Sequence, residues 1–301
     1  MCGIAALQIK NPELSPQLGE LLHSMTCDLI ERGPDSAGLA VYDDANTLRE
    51  AKSLVSLLGT ELPLSPDKLG AALTEQLDGV ETSAEVIGVT TIVRSQADTD
   101  ALLTALAAVM PEANVIGQGS HVAVMKGVGN PRDVATVHGL ERMHGTRGVT
   151  HTRMATESAV TAAGSHPYSV ADDLCLVHNG SFSNHATIRA ELQRQGVEFS
   201  SDNDSEVAAR FIAAQLKEGA DLDTALLRLG DVFDGFYTLV VTTKNGMAVV
   251  RDPIACKPCV VAETDDWVAV ASEFRALAAL PGIDNANVFE PTPGRVYTWR
   301  A

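Results

Sequence analysis

Met1-Cys2-Gly3-Ile4 opens the chain, and more follows from these residues than from any other stretch. A small side chain in second position favours removal of the initiator methionine, which would leave Cys2 with a thiol and a free α-amine on one residue. The reference pKa of an α-amine is about 7.7–8.0, against about 10.4 for lysine, so near neutral pH it is partly unprotonated. It can then act as general base for its own thiol, a nucleophile and base built from one terminus. The plain alternative is an ordinary cysteine that happens to stand second. The rest of the sequence weighs between the two.

With 301 residues, 45 % of them apolar, the chain is large enough for one big domain or two smaller ones. No apolar run approaches the roughly 20 residues that span a bilayer. The N-terminus carries neither the basic nor the apolar region of a signal peptide, and a lipoprotein reading of Cys2 fails for want of an export signal upstream. Cys2, Cys27, Cys175, Cys256 and Cys259 are odd in number and irregularly spaced, which suits a reducing cytoplasm better than a disulfide framework. A net charge of −17, from 39 acidic against 22 basic residues, argues against nucleic acid or an anionic membrane as partner.

Outward from Cys2, residues 2–8 read as a strand that brings it to a sheet edge. Leu18, Leu21, Leu22, Met25 and Leu29 recur at helical spacing and stop at Arg32-Gly33-Pro34-Asp35, with a strand over 37–42 beyond. From 50 to 146 the texture changes: a β-branched run over 85–94, a helix over 98–109 capped by Asp98 and a strand over 121–126 suggest an inserted α+β lobe. Strands are predicted at 148–153 and 174–178, helices at 184–195, 205–217 and 222–229, and strands again at 236–242, 247–251, 259–262 and 267–272. Strands, then helices, then strands fit an α+β fold of packed antiparallel sheets and helices better than a βαβ wind.

Four islands suit acyl transfer by a thiol. His178-Asn179-Gly180 ends a predicted strand; an Asn side-chain amide and a Gly N–H can both donate to the oxyanion of a tetrahedral intermediate, although Asn-Gly is also a common plain turn. His151-Thr152-Arg153-Met154-Ala155-Thr156 sets an arginine after a strand, where its planar fork can grip a carboxylate or simply face solvent. In Ser201-Asp202-Asn203-Asp204-Ser205-Glu206, Asp204 or Ser205 can cap the next helix with Glu206 in its first turn, and one carboxylate can face a substrate ammonium. Arg32-Gly33-Pro34-Asp35-Ser36-Ala37-Gly38 is either a turn into a strand or a support in which Arg32 orders the terminus.

Together these islands resemble the class II glutamine amidotransferases, the N-terminal-nucleophile (Ntn) type. The resemblance rests on M-C-G-I at the start, R-G-P-D-S-A-G at 32–38, H-T-R-M-A-T at 151–156, S-H-P-Y at 165–168 and H-N-G at 178–180. It extends through D-N-D-S-E at 202–206, D-G-F-Y at 234–237, R-D-P at 251–253 and A-S-E-F-R-A-L at 271–277. It implies a four-layer αββα Ntn-hydrolase sandwich over residues 2–301, with the 50–146 lobe inserted. It implies Cys2 as nucleophile, its α-amine as base, and Asn179 and Gly180 as the oxyanion hole. Arg153 would bind the α-carboxylate of glutamine and Asp204 its α-ammonium, with Thr156 closing the pocket and Arg32 and His166 in support. The chain departs from the family at Met154 and Glu157, where relatives often carry Trp and His. It departs again at Ile254-Ala255-Cys256-Lys257-Pro258-Cys259, whose C-x-x-C has no second ligand pair and reads as buried or strand-edge cysteines, not as a metal site.

Fused relatives carry a synthase module behind the glutaminase, whereas this sequence stops soon after A-S-E-F-R-A-L, so a free-standing subunit is expected. The inserted lobe and R-D-P-I-A-C-K-P resemble the amidotransferase subunit of N-methylglutamate synthase and glutamate-synthase-like assemblies. That resemblance implies separate synthase subunits as partners, which would hold flavin and iron–sulfur clusters while this chain holds no cofactor. Glutamine or glutamate is the expected ligand and the cytoplasm the expected location. The competing reading is a catalytically silent scaffold that senses glutamine or glutamate, for which a retained Met1 would speak. An Ntn amidohydrolase for another amide suits the pairing of Arg153 with Asp204 less well.

Overall fold

The computed structural model describes residues 2–154 and 160–301. The chain runs β1 (Gly3–Ile9), α1 (Leu18–Cys27), β2 (Ser36–Tyr42) and a short α2 (Ala45–Leu48). Next come β3 (Ser53–Leu58), α3 (Pro66–Gln76), β4 (Thr82–Ile87), β5 (Thr90–Ser95), α4 (Thr99–Val109) and β6 (Val115–Gly119). After these come β7 (Val122–Val128), α5 (Pro131–Val137), β8 (Arg147–Arg153), β9 (Tyr168–Ala171) and β10 (Leu174–Phe182). Helices α6 (His185–Arg194), α7 (Asp204–Lys217) and α8 (Leu222–Val232) precede β11 (Gly235–Thr243), β12 (Gly246–Arg251), β13 (Val260–Glu263), β14 (Trp267–Ala271), β15 (Asn287–Phe289) and β16 (Val296–Arg300).

The strands form sheets ordered β15-β13-β14-β1-β8-β2-β7, β16-β12-β11-β10-β9 and β4-β5-β3-β6. Neighbouring strands around β1 and β10 pair antiparallel. Side chains of a strand point to alternate faces, and the apolar clusters follow that alternation. Ile4 and Ala6 of β1, Ala40 and Tyr42 of β2, and Val268 and Val270 of β14 pack with Cys175 and Val177 of β10, Val240 of β11 and Val249 of β12, joining the first two sheets. The intervening residues Ala5, Leu7, Leu39 and Val41 pack with Leu18, Leu22 and Met25 of α1. On the far side, Leu176, Leu239, Val241 and Ala248 pack with Ile188 of α6, Val207 and Ile212 of α7 and Leu226 of α8. Each such leucine or valine contributes about 1.5–3 kcal/mol by leaving water. All seven residues of β1 are buried, so the strand that follows Cys2 is fixed from both faces.

Between β2 and β7 the third sheet has its own core, Val55, Leu57, Leu69, Leu73, Val93 and Leu106. Within the 50–146 stretch, β7 leaves this sheet and pairs along its length with β2. The change of sheet follows Gly119: the Asp173 carboxylate, between β9 and β10, accepts from Ser120 N and His121 N, at 2.9 and 2.8 Å, and anchors the turn from which the chain enters the first sheet. The single β-branched run predicted over 85–94 is two strands, β4 and β5, because Gly88 turns the chain with φ +63°. The α4 cap is as expected, with the Asp98 side chain accepting from Ala101 N. The α7 cap is Asn203, not Asp204 or Ser205; its side chain accepts from Ser205 N, which puts Asp204 inside the helix as its first residue.

Candidate active site

β1 lies between β14 and β8, so Cys2 emerges where two neighbouring strands end. Gly3 stands opposite Thr152. A Cβ added at Gly3 would lie 2.7 Å from Thr152 Oγ1 and 2.9 Å from Leu29 Cβ, so only glycine lets the strand start this close to its neighbours. Arg32 Nε donates to the Cys2 carbonyl at 2.9 Å, and Asn179 Nδ2 donates to the same oxygen at 3.1 Å. Arg32 Nη1 also pairs with Glu273 at 2.6 Å. The Arg32 hydrogen bond is the main cause that holds the Glu273 carboxyl below its ordinary range. Ile4 N donates to Ser272 Oγ at 2.9 Å, tying β1 to the same A-S-E segment.

Cys2 is half-buried, with Sγ 3.9 Å from the Met154 carbonyl oxygen. Burial pushes the thiol up, but the neighbouring His151, the Met154 backbone and the chain's amino terminus outweigh it and bring it to about 7. A thiol near 7 is about half ionised at neutral pH, against a few per cent for a free one. His151 is fully buried, and its Nε2 stands 3.1 Å from Asn179 Oδ1 and 3.2 Å from the His178 carbonyl. The Asn179 carboxamide is therefore held at both ends, since Nδ2 also reaches Ser272 Oγ at 3.2 Å.

Below His151 the rings continue inward. His151 and His166 lie 4.2 Å apart between centroids, and His178 and Phe182 are stacked at 4.5 Å. Burial, reinforced by the neighbouring histidines, Lys126 and Arg153, holds His166 well below its ordinary range. Burial also lowers His178 to about 4, against the opposing pull of Asp204. Both rings are thus neutral at pH 7, and His178 Nδ1 meets Ser205 Oγ at 2.8 Å.

Gly180 sits at φ +148° with Phe236 O only 2.0 Å from where a Cβ would stand. Arg153 is buried at the end of β8, and its Nη1 lies 3.5 Å from the position a Cβ on Gly164 would take. Asp204 Oδ2 accepts from Phe182 N at 2.9 Å, which joins the start of α7 to β10 two residues past Gly180. The structure thus gathers Cys2, Arg32, His151, Asn179 and Glu273 at one strand end, with His166, His178 and Asp204 linked behind them. Arg153 and Asp204 both act electrostatically on the Tyr168 hydroxyl. Thr156 and Glu157 lie outside the described residues.

His151, Ser272 and Glu273 stood inside quoted motifs but were not singled out. Ser272-Glu273 had a signal, polar residues directly after the apolar run Trp267–Ala271, whereas His151 lies in the polar run Thr150–Arg153 and nothing local marks it. The R-D-P motif is structural: Asp252 accepts from Tyr237 N, Ile254 N and Ala255 N, and Arg251 reaches the Ala255 and Lys257 carbonyls. Cys256 is exposed and Cys259 buried, with burial pushing the Cys259 thiol up to about 12. Among the described residues no group of three His, Cys, Asp or Glu side chains is placed to hold a metal ion, and no helix is long and apolar enough to cross a membrane.

Residues 151–279 match a family model described as a glutamine amidotransferase domain. The chain is 47 % identical to the glutamine amidotransferase-like protein GlxB of Rhizobium meliloti over 300 residues, 99 % of this chain and 98 % of that one. It is 31 % identical, over 98 % of both chains, to a protein of Methanothermobacter thermautotrophicus provisionally named a glutamine amidotransferase. Among solved structures it superposes with a TM-score of 0.61 on the glutamine phosphoribosylpyrophosphate amidotransferase of B. subtilis. At 18 % identity that match speaks for the fold alone; it covers 99 % of this chain and 49 % of the other.

Proposed function

The chain belongs to the class II glutamine amidotransferase family, and on that premise we propose that it is a glutaminase-type subunit whose nucleophile is Cys2. Removal of Met1 would free the α-amine of Cys2 as the base. The thiolate adds to the side-chain amide carbon of glutamine, and collapse of the tetrahedral intermediate expels ammonia, protonated on its nitrogen by the amine, to leave a γ-glutamyl thioester. Water, deprotonated by the same amine, adds to the thioester and releases glutamate and the thiol. In this reading the oxyanion is held by Asn179 Nδ2, which would give up its Ser272 contact, and by the Gly180 N–H. Arg153 and Asp204 would take the α-carboxylate and α-ammonium, with Thr156 closing the pocket. Arg32 would fix the terminus through the Cys2 carbonyl, and neutral His166 would back His151.

The observation that carries this reading is the Cys2 thiol, drawn down to about 7 chiefly by His151 while its own carbonyl is clamped by Arg32 and Asn179. A structural cysteine buried among apolar side chains has the opposite tendency, as Cys175 and Cys259 do. We read the two large sheets with their flanking helices as the four-layer αββα Ntn sandwich, and the 50–146 stretch as its inserted lobe. Ammonia or the glutamyl unit would pass to separate synthase subunits in the cytoplasm, of the N-methylglutamate synthase or glutamate-synthase-like kind. The test is Cys2→Ala in the purified protein. Glutamine hydrolysis and labelling by an electrophilic glutamine analogue should both vanish, whereas surviving hydrolysis would refute the mechanism.

A further inference from the structure

Lys126 follows Val122 and Val124 on the face of β7 that enters the core between the two large sheets. It is 3 % exposed, and its ammonium lies 4.9 Å from the centre of the Tyr168 ring, with no hydrogen bond or ion pair to it among the described residues. Beside it is a cavity of about 30 Å³, lined also by Tyr168, Ser169, Ser200, Ser201 and Arg210. The hydroxyls of Tyr168 and Ser169 are buried there and make no well-formed hydrogen bond among the described residues, although Ser201 and Cys175 stand near them.

Negative charge at this spot falls short of positive charge. Glu206 is fully buried, but it already accepts from the N–H and hydroxyl of both Ser200 and Ser201 and pairs with Arg210 at 3.3 Å. Burial pushes the Cys175 thiol up to about 12, and it raises the Tyr168 hydroxyl as well, so neither supplies an anion. Burial lowers Lys126 to about 8, partly opposed by Cys175 and Glu206, which leaves it mostly charged at neutral pH. Among the described residues Lys126 and Arg210 thus face Glu206, while Arg153 and Asp204 act on Tyr168 from further off.

We infer that this cavity is a binding site for one small monovalent anion of chloride size, held by the Lys126 ammonium and the hydroxyls of Tyr168 and Ser169. A space of about 30 Å³ is enough for an occupant of water or halide size. A water would satisfy the hydroxyls but leave the buried ammonium without counter-charge, the costly case for an ion out of solvent. A halide satisfies both. Val170 and Arg210 line both this cavity and an open cleft of about 1180 Å³ beside α7 and α8, so the Arg210 side chain stands at the way in. The site does not depend on the proposed reaction.

The test uses bromide as the probe. Crystals soaked in sodium bromide should show an anomalous peak beside Lys126. At constant ionic strength, Tm should rise by a few degrees and saturate with chloride or bromide, but not with gluconate, which is too large to enter. Lys126→Met should lose both effects, and Ser169→Ala, a smaller change, should weaken half-saturation several-fold in a folded protein. An empty cavity in the bromide crystal, an equal response to gluconate, or an undiminished chloride response in Lys126→Met would overturn the site. A bromide peak with no response in solution would mark an adventitious ion only and would overturn it too.

Discussion

Asn179 donates through Nδ2 to the carbonyl oxygen of Cys2 at 3.1 Å, so β10 in one sheet is hydrogen-bonded to the residue that precedes β1 in the other. His151 fixes the orientation, because its Nε2 meets Asn179 Oδ1 at 3.1 Å and leaves the amide nitrogen turned towards Cys2. If that nitrogen serves the oxyanion, Asn179→Ala should lower kcat for glutamine hydrolysis by about 10²–10³-fold with little change in KM. Asn179→Asp keeps the shape but exchanges a donor for an acceptor, and it should be as inactive while Tm moves by only a few degrees. Steady-state kinetics alongside thermal melts separate the two effects.

The charge on Cys2 is the next expectation. With the thiol at about 7, alkylation of Cys2 by iodoacetamide, followed by peptide mapping, should show a pH midpoint near 7. Burial alone raises the thiol and His151 is the leading cause that lowers it. Removing the imidazole in His151→Phe should therefore move the midpoint upward. An unshifted midpoint would mean that the imidazole does not govern the thiol.

Much of this site was legible in the sequence because two of the local motifs stand at strand ends, Cys2 before β1 and Arg153 closing β8; His178-Asn179-Gly180, expected to end a strand, instead lies inside β10, which stays paired with β11 as far as Phe182. Cys2, Arg153 and Asn179 were named from short islands, and β1, β8 and β10 carry each of them to the same end of the paired sheets. What stayed hidden depends on contacts far apart in the chain. His151 is one of four consecutive polar residues, Thr150 to Arg153, and nothing marks it until β10 is placed against it, 27–28 residues away in sequence. Ser272 meets Ile4 across 268 residues, which no local pattern encodes. The sheet exchange at β7 was equally invisible, since Val122–Val128 suits either sheet by composition and the Asp173 turn decides. The cap of α7 missed by one residue because Asn203, Asp204 and Ser205 are all good caps, and the pull of Phe182 N on Asp204 selects among them.

Gly3 tests how tightly the terminus is built. Gly3→Ala places a methyl 2.7 Å from Thr152 Oγ1 and 2.9 Å from Leu29 Cβ, neither of which can retreat without moving β8 or the end of α1. Overpacking of this kind costs about 1–3 kcal/mol. The urea midpoint should fall accordingly, and Gly3→Ala combined with Thr152→Ser should recover little, because Oγ stays in place. Full stability in the single variant would show that the strand start has more room than the geometry gives it.

The buried histidines set the acid limit of the fold. Burial holds His166 well below 6.5 and His178 at about 4, so each binds a proton more readily in the unfolded chain than in the native one. Their contribution is therefore complete above about 6.5 and is lost as pH falls towards 4, where the unfolded state takes up protons that the native state refuses. Each ring held neutral gives a slope of about 1.4 kcal/mol per pH unit across that window. Urea midpoints measured at pH 7, 6, 5 and 4.5 should decline steadily below 6.5. His178→Gln, which keeps a donor for Ser205, should flatten the decline by one ring's share. A wild-type midpoint constant from pH 6.5 to 4.5 would mean that these imidazoles are charged inside the native protein, and the neutral ring stack beneath Cys2 would be wrong.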